Sequence, residues 1–153
     1  MKGEIRSPIM TTRRSGRAEF ISADLEQLPG EQCRVIVKLG RELGSSLKQT
    51  YVGKAEGPMF PLGEVRCSAE AALRALERSF GVEAGTFSVI QLKTVESFDC
   101  LAILVAISAQ PKQSEGPQAR LVGFCEVKED PKVAAAKAAL NGTNRYVGYH
   151  LGG

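Results

Sequence analysis

Few residues in this chain have the chemistry to act as nucleophiles, bases or metal ligands. They are four cysteines, Cys33, Cys67, Cys100 and Cys125, and a single histidine, His150. A thiol at a helix N-terminus is readily ionised and becomes nucleophilic, and Cys67, at the head of an alanine-rich stretch, is the best placed of the four. The cysteines are widely spaced, with no C-x-x-C pair. In a chain with ample apolar residues this pattern reads as buried thiols in a reducing compartment rather than a disulfide framework. A mixed Cys/His zinc site would need ligands gathered from distant segments. His150 stands in YHLGG with no acid or base beside it. The expectation is therefore no catalytic residue, no metal and no cofactor.

Binding chemistry has better candidates. In GPMFPLG (57–63), Met59 and Phe60 are apolar residues between two prolines, in a segment expected at the surface. They either plug a core edge or line a pocket beside a helix start. Helix N-termini carry partial positive charge, so Gly57, Pro58, Met59, Phe60 and Asp130 form the candidate site for a small polar metabolite. Asp130 also reads as an N-cap, with Pro131 in the first helical position. Around it, Glu126, Lys128, Glu129 and Asp130 read as a solvated strand end plus that cap. Arg13-Arg14-Ser15-Gly16-Arg17 offers a basic cluster for phosphate or acidic surfaces. The Gly152-Gly153 pair is shared with conjugated modifier proteins, but such an end arises by chance in roughly one chain in 200, and the rest does not read as a β-grasp.

The 153 residues suit one domain with a real core. The composition, 43% apolar and 24% charged, is that of an ordinary soluble protein, and a net charge of +3 is too small to imply a nucleic-acid partner. The start lacks the apolar run of a secretory signal. CLAILVAISA (100–109) is about half a membrane span and suits a buried strand. A cytoplasmic protein with no membrane contact is expected, comprising a flexible basic leader (1–16) and one domain (17–150).

Periodicity gives the elements that must position these residues. Strands are predicted at 18–27, 32–40 and 48–57. The second has Cys33, Val35, Val37 and Leu39 on one face and Arg34, Ile36 and Lys38 on the other. Leu62, Val65, Ala69, Ala72, Leu73, Leu76 and Phe80 then form one helical stripe, starting near Pro61 or later with Ser68 as N-cap. Strands follow at 86–97, 99–110 and 119–129. In the first of these Phe87, Val89 and Gln91 alternate with Ser88, Ile90 and Leu92, leaving the buried face undecided. The next is apolar on both faces, which places it centrally. A second helix runs VAAAKAALNGTNR, with Val133, Ala136, Leu140 and Thr143 on one stripe.

The order is βββα written twice, over half-units 17–82 and 83–148. Cys33 pairs with Cys100, Val52-Gly53 with Val122-Gly123, Ala71-Ala72 with Ala135-Ala136, and Ala75-Leu76 with Ala139-Leu140, at offsets from 64 to 70 residues. The expected fold is α+β, an antiparallel sheet of about six strands with two helices on one face. The other face of the central strand then carries an apolar patch whose cover favours a homodimer.

This order, with Gly53, Gly57 and Pro58 leading into the helix of Ala69, Ala71 and Ala72, resembles the C-terminal regulatory domain of 2-isopropylmalate synthases. The resemblance spans most of residues 18–147 as topology but few identities. It implies a non-enzymatic module that dimerises and binds a small effector. The insert MFPLGEVRC and the Glu-Asp-Pro of the second unit depart from that family's pattern. Two other readings compete. VKEDPKVAAAKAAL looks like the end of a double-stranded-RNA-binding domain, with Lys132 and Lys137 facing phosphate, although Glu129 and Asp130 oppose such binding and nucleic acid is not the expected partner. The third is an enzyme whose site is assembled from distant residues.

Overall fold

The computed structural model describes residues 16–44, 47–110 and 118–150. The basic leader (all but Gly16), the side chain of His150 and Gly152-Gly153 lie outside the described residues. The elements are β1 (Ala18–Leu28), β2 (Gln32–Leu43), β3 (Leu47–Pro58), α1 (Gly63–Phe80), β4 (Phe87–Ser97), β5 (Cys100–Ala109), β6 (Ala119–Glu126) and α2 (Pro131–His150). The protein is α+β and consists of two βββα halves, each an antiparallel meander followed by a helix.

The single six-stranded sheet is corrected. The strands form two three-stranded sheets, β1-β2-β3 and β4-β5-β6. Helix α1 packs on the first sheet and α2 on the second; the helices pack against each other, and each also reaches the first strand of the other half. The two helices therefore do not share one sheet face. The physical reason lies at β4: Arg66 Nη2 donates to the carbonyl of Val89 (3.3 Å) and Arg74 Nη2 to that of Phe87. Side chains from α1 occupy backbone acceptors of β4, and the halves join through helices rather than strand edges.

Register shows how deep the repeat runs. In β1, the pairing with β2 slips between Phe20 and Ser22, leaving Ile21 as the bulged residue. In β4, the pairing with β5 slips between Val89 and Gln91, leaving Ile90. Both bulges sit against equivalent partners, Leu39-Lys38 in β2 and Ile107-Ala106 in β5. The second bulge also explains the undecided face of β4. Phe87 and Val89 are buried, and after the extra residue Leu92 returns to the inner side.

Two details of the sequence pairing are shifted. Val37 pairs with Gly53 and Val105 with Gly123, so β2 and β5 are related by 68 residues and Cys33 matches Leu101 rather than Cys100. On the helices, Gly53 lies against Ala71 and Ala75, whereas Gly123 lies against Ala138 and Gly142. The helices are thus related by 67 residues, and Ala71 matches Ala138, not Ala135. Alanine-rich helices look alike at a shift of nearly one turn; only the contact with the strand sets the register.

The close approach of strand to helix is why each half writes Val-Gly before an alanine-rich helix. A Cβ on Gly53 would lie 2.1 Å from the Ala71 carbonyl oxygen, and one on Gly123 would lie 2.0 Å from that of Ala138. Glycine is required here by space, not by backbone angle. Small residues on the helix complete the contact, and burial extends well beyond the predicted stripe. Cys67, Ser68, Ala71, Ala75, Glu77 and Ser79 of α1 are buried as well, because α1 is covered by its sheet, by α2 and by β4.

The remaining core follows the alternation. Cys33, Val35, Val37 and Leu39 are fully buried, as are Ile103, Val105 and Ile107 of β5, while Leu101 at the strand's start is 38% exposed. Phe87 meets Tyr146 of α2 edge to face, with ring centroids 5.7 Å apart. Ser68 does not cap α1, which begins at Gly63; its hydroxyl donates to the Lys132 carbonyl (2.6 Å) and ties the two helices together near their starts.

Candidate functional site

The candidate residues at the helix starts divide by role. Gly57 pairs with Cys33 across the sheet and lies over the Cys67 sulfur, which a Cβ would approach to 3.2 Å. Pro58 ends β3. Met59 packs against the core, its N–H donating to the Glu31 carbonyl (2.8 Å), whereas Phe60 is 72% exposed. Of the two sequence alternatives, Met59 takes the plug and Phe60 faces solvent. Asp130 caps α2: its Oδ1 accepts the Lys132 N–H (2.9 Å) and its carbonyl accepts from Val133 (3.1 Å). The first half has no counterpart, since Leu62 precedes α1 with no side-chain cap. Replacing Asp130 with alanine is expected to cost about 1 kcal/mol, measured as a lower urea midpoint with unchanged slope.

The thiols are poorly disposed for nucleophilic work. Cys33 and Cys67 are buried, Cys125 is half-buried and Cys100 exposed. Burial, together with neighbouring Cys33, pushes the Cys67 thiol up to about 12. Although Cys67 is near a helix start, it stands protonated at neutral pH, the reverse of an activated thiolate. Glu126 raises the Cys100 thiol through a hydrogen bond. Among the described residues no group of three or more His, Cys, Asp or Glu side chains is arranged to hold a metal ion.

A buried polar centre lies where α1 turns toward β4. Glu77 is 1% exposed; its Oε2 accepts from the N–H groups of Gly85 (3.1 Å) and Phe87 (2.9 Å), and its Oε1 is 3.2 Å from Arg74 Nε. The matching residue of α2, 67 positions on, is Asn144. With its carbonyl oxygen facing Arg17, Asn144 accepts from Nε of that residue at 3.2 Å. Both halves use this helix position to hold the start of the other half-unit's neighbouring strand, one with a carboxylate and the other with an amide.

Beside Glu77 is a cleft of about 550 Å³ between β3, α1 and the α1–β4 connection. Its cations are Lys54, Arg74 and Arg78, and Val52, Val82 and Ala84 form its apolar wall. The other half has a counterpart of about 470 Å³ lined by Arg17, Asn141, Asn144 and Arg145. Neither is lined by the residues proposed from sequence at the helix starts. No local signal marks these clefts, because Lys54 and Arg78 meet only through the packing of β3 on α1.

The two sheets differ most on their outer faces. Across the first sheet the rows are Glu26–Arg34–Glu56, Asp24–Ile36–Lys54 and Ser22–Lys38–Val52. Arg34 bridges both acids, with its Nη1 2.8 Å from Glu26 and its Nη2 2.6 Å from Glu56. The corresponding rows of the second sheet are Val95–Ala102–Glu126, Lys93–Leu104–Phe124 and Gln91–Ala106–Val122. Phe124 is 62% exposed and Val122 59%, beside half-buried Leu104. The two halves agree on their inner faces and differ outside, with Ala102, Phe124 and Ala106 in the second where the first has Arg34, Lys54 and Lys38. The sequence did carry this signal: in 119–126, Val122 and Phe124 alternate with a second apolar set.

No protein-family model matches the chain, and no match is found among curated proteins. The class of protein is therefore defined by its fold alone, a duplicated βββα unit. Among the described residues no helix is long and apolar enough to cross a membrane.

Proposed function

We propose that this protein is a non-enzymatic regulatory and oligomerisation module that self-associates through the outer face of its second sheet and responds to a small metabolite. The observation that carries the reading is the contrast between the faces: the first is covered by cross-strand charges, whereas the second presents Val95, Val122 and Phe124 around Leu104. Three strands spaced about 4.8 Å apart, the shortest of 8 residues, share a face of roughly 14 by 26 Å. Its apolar part, bordered by Gln91, Lys93 and Glu126, is of the order of the largest apolar patch on an ordinary monomer, a kind of patch that is often functional. Two such faces stacked about 10 Å apart would enclose Leu104 and Phe124 as sandwich sheets enclose a core. Two such faces bury only roughly 700 Å², below the range of stable specific interfaces, so the dimer is expected to be weak and reversible.

The resemblance to a synthase regulatory domain supports the same reading at the level of topology. The RNA-binding alternative has weaker support. Lys132 Nζ is held 3.2 Å from Asp130, and Lys137 Nζ lies over the Phe20 ring at 5.6 Å. Light scattering across a dilution series tests the module directly. A mass approaching twice 16.4 kDa at high concentration and falling on dilution is expected; a constant monomer mass would sink the reading.

A further inference from the structure

We propose that the cleft between β3, α1 and the α1–β4 connection binds a small dianionic carboxylate with a short aliphatic body. This deepens the effector half of the function proposed above and rests on that reading for its regulatory meaning. The cleft, at about 550 Å³, is in the usual range for small-molecule sites. Its charges sort into two groups. Arg74 and Glu77 are occupied with each other and with the start of β4: Arg74 donates to the Phe87 carbonyl, and Glu77 accepts from Gly85 and Phe87. Lys54 and Arg78 are exposed and have no ion-pair partner among the described residues. The paired Arg74 and Glu77 cancel, so Lys54 and Arg78 leave the cleft with two positive charges.

That excess selects a dianion, and the wall of Val52, Val82 and Ala84 selects an aliphatic body between its charged ends. An α-amino acid fits poorly, because its ammonium group would face Lys54 and Arg78 while the Glu77 carboxylate is already engaged. The last carbonyls of α1 do not oppose an anion strongly. Those of Arg78 and Glu77 are capped by the N–H groups of Gly81 (3.2 Å) and Val82 (3.0 Å). The repeat provides a second observation. Arg78 matches Arg145 at the 67-residue shift, and both are exposed and line their half's cleft, although Arg74 and Glu77 have become Asn141 and Asn144. An arginine is kept at this place where its neighbours changed.

The test is isothermal titration calorimetry of the full chain at low ionic strength, with succinate as probe and leucine and inorganic phosphate as comparators. Saturable succinate binding is expected, at least tenfold tighter than leucine. Lys54→Glu and Arg78→Glu should each weaken it tenfold or more, while Lys128→Glu, exposed after β6 beside Glu126 in the other half, leaves it unchanged. All three side chains are exposed, and circular dichroism checks the fold. Absence of saturable binding, or equal weakening by Lys128→Glu, overturns the site. Phosphate binding more tightly than succinate overturns the carboxylate assignment. Sedimentation of the same samples separates the two proposals, since a chain that binds succinate as a monomer contradicts only self-association.

Discussion

Gly53→Ala and Gly123→Ala are each expected to destabilise the fold by about 3 kcal/mol or more, a large fraction of a typical domain's stability. A methyl group at either position would lie about 2 Å from a helix carbonyl oxygen and closer than 3 Å to the next turn's backbone nitrogen. The obstacle is main chain on both sides, so no rotamer change relieves it. The helix must move off its sheet, opening a gap along the row of buried alanines that allowed the close contact. Gly148→Ala is the control. It lies in α2 with nothing within 4 Å of an added Cβ, and there alanine is expected to be neutral or stabilising by up to about 1 kcal/mol. Urea denaturation of the three variants decides the matter: similar midpoints for all of them would show that strand and helix are not in the contact described.

Glu77→Ala is the second change with a large expected effect, about 3 to 5 kcal/mol, the usual consequence of breaking a buried charged network by removing one partner. It would strip acceptors from the N–H groups of Gly85 and Phe87 and remove the carboxylate beside Arg74. Both N–H groups belong to the entry into β4, so loss of protection should begin there. Hydrogen exchange at Gly85 and Phe87 is the discriminating readout beside the urea midpoint. The equivalent change Asn144→Ala removes a neutral amide from a half-buried position, and about 1 kcal/mol is expected. A cost for Glu77→Ala no larger than for Asn144→Ala would contradict the central position given to this carboxylate.

The fold was legible in the sequence wherever alternation was strong. Cys33 to Leu39 and Ile103 to Ile107 announce buried strand faces, and Asp130-Pro131 announces a helix start. The paired bulges at Ile21 and Ile90 were not legible, because one extra residue in a strand leaves only a broken alternation. Nor was the separation into two sheets, which depends on Arg66 and Arg74 reaching β4 across 23 and 13 residues of chain. Nothing in the sequence singles out Glu77, since its burial comes from the covering α1–β4 connection. For function, the apolar outer face was anticipated on the central strand 99–110 but not at Val122 and Phe124 beside it, and the cationic cleft draws on segments brought together only in the folded molecule.

The duplicated unit makes one account of fold and function. Its inner faces are fixed by packing against alanine-rich helices, which leaves the outer faces free to differ, one carrying charge and the other the apolar surface proposed to contact a second copy. Sedimentation equilibrium of three proteins side by side tests this most directly: the wild type, the double variant Val122→Glu/Phe124→Glu, and Ile36→Glu on the opposite sheet. The account predicts a reversible dimer for the wild type and for Ile36→Glu, and a folded monomer for the double variant, with association weakened at least a hundredfold. A dimer that persists in the double variant, or one abolished by Ile36→Glu alone, would contradict it.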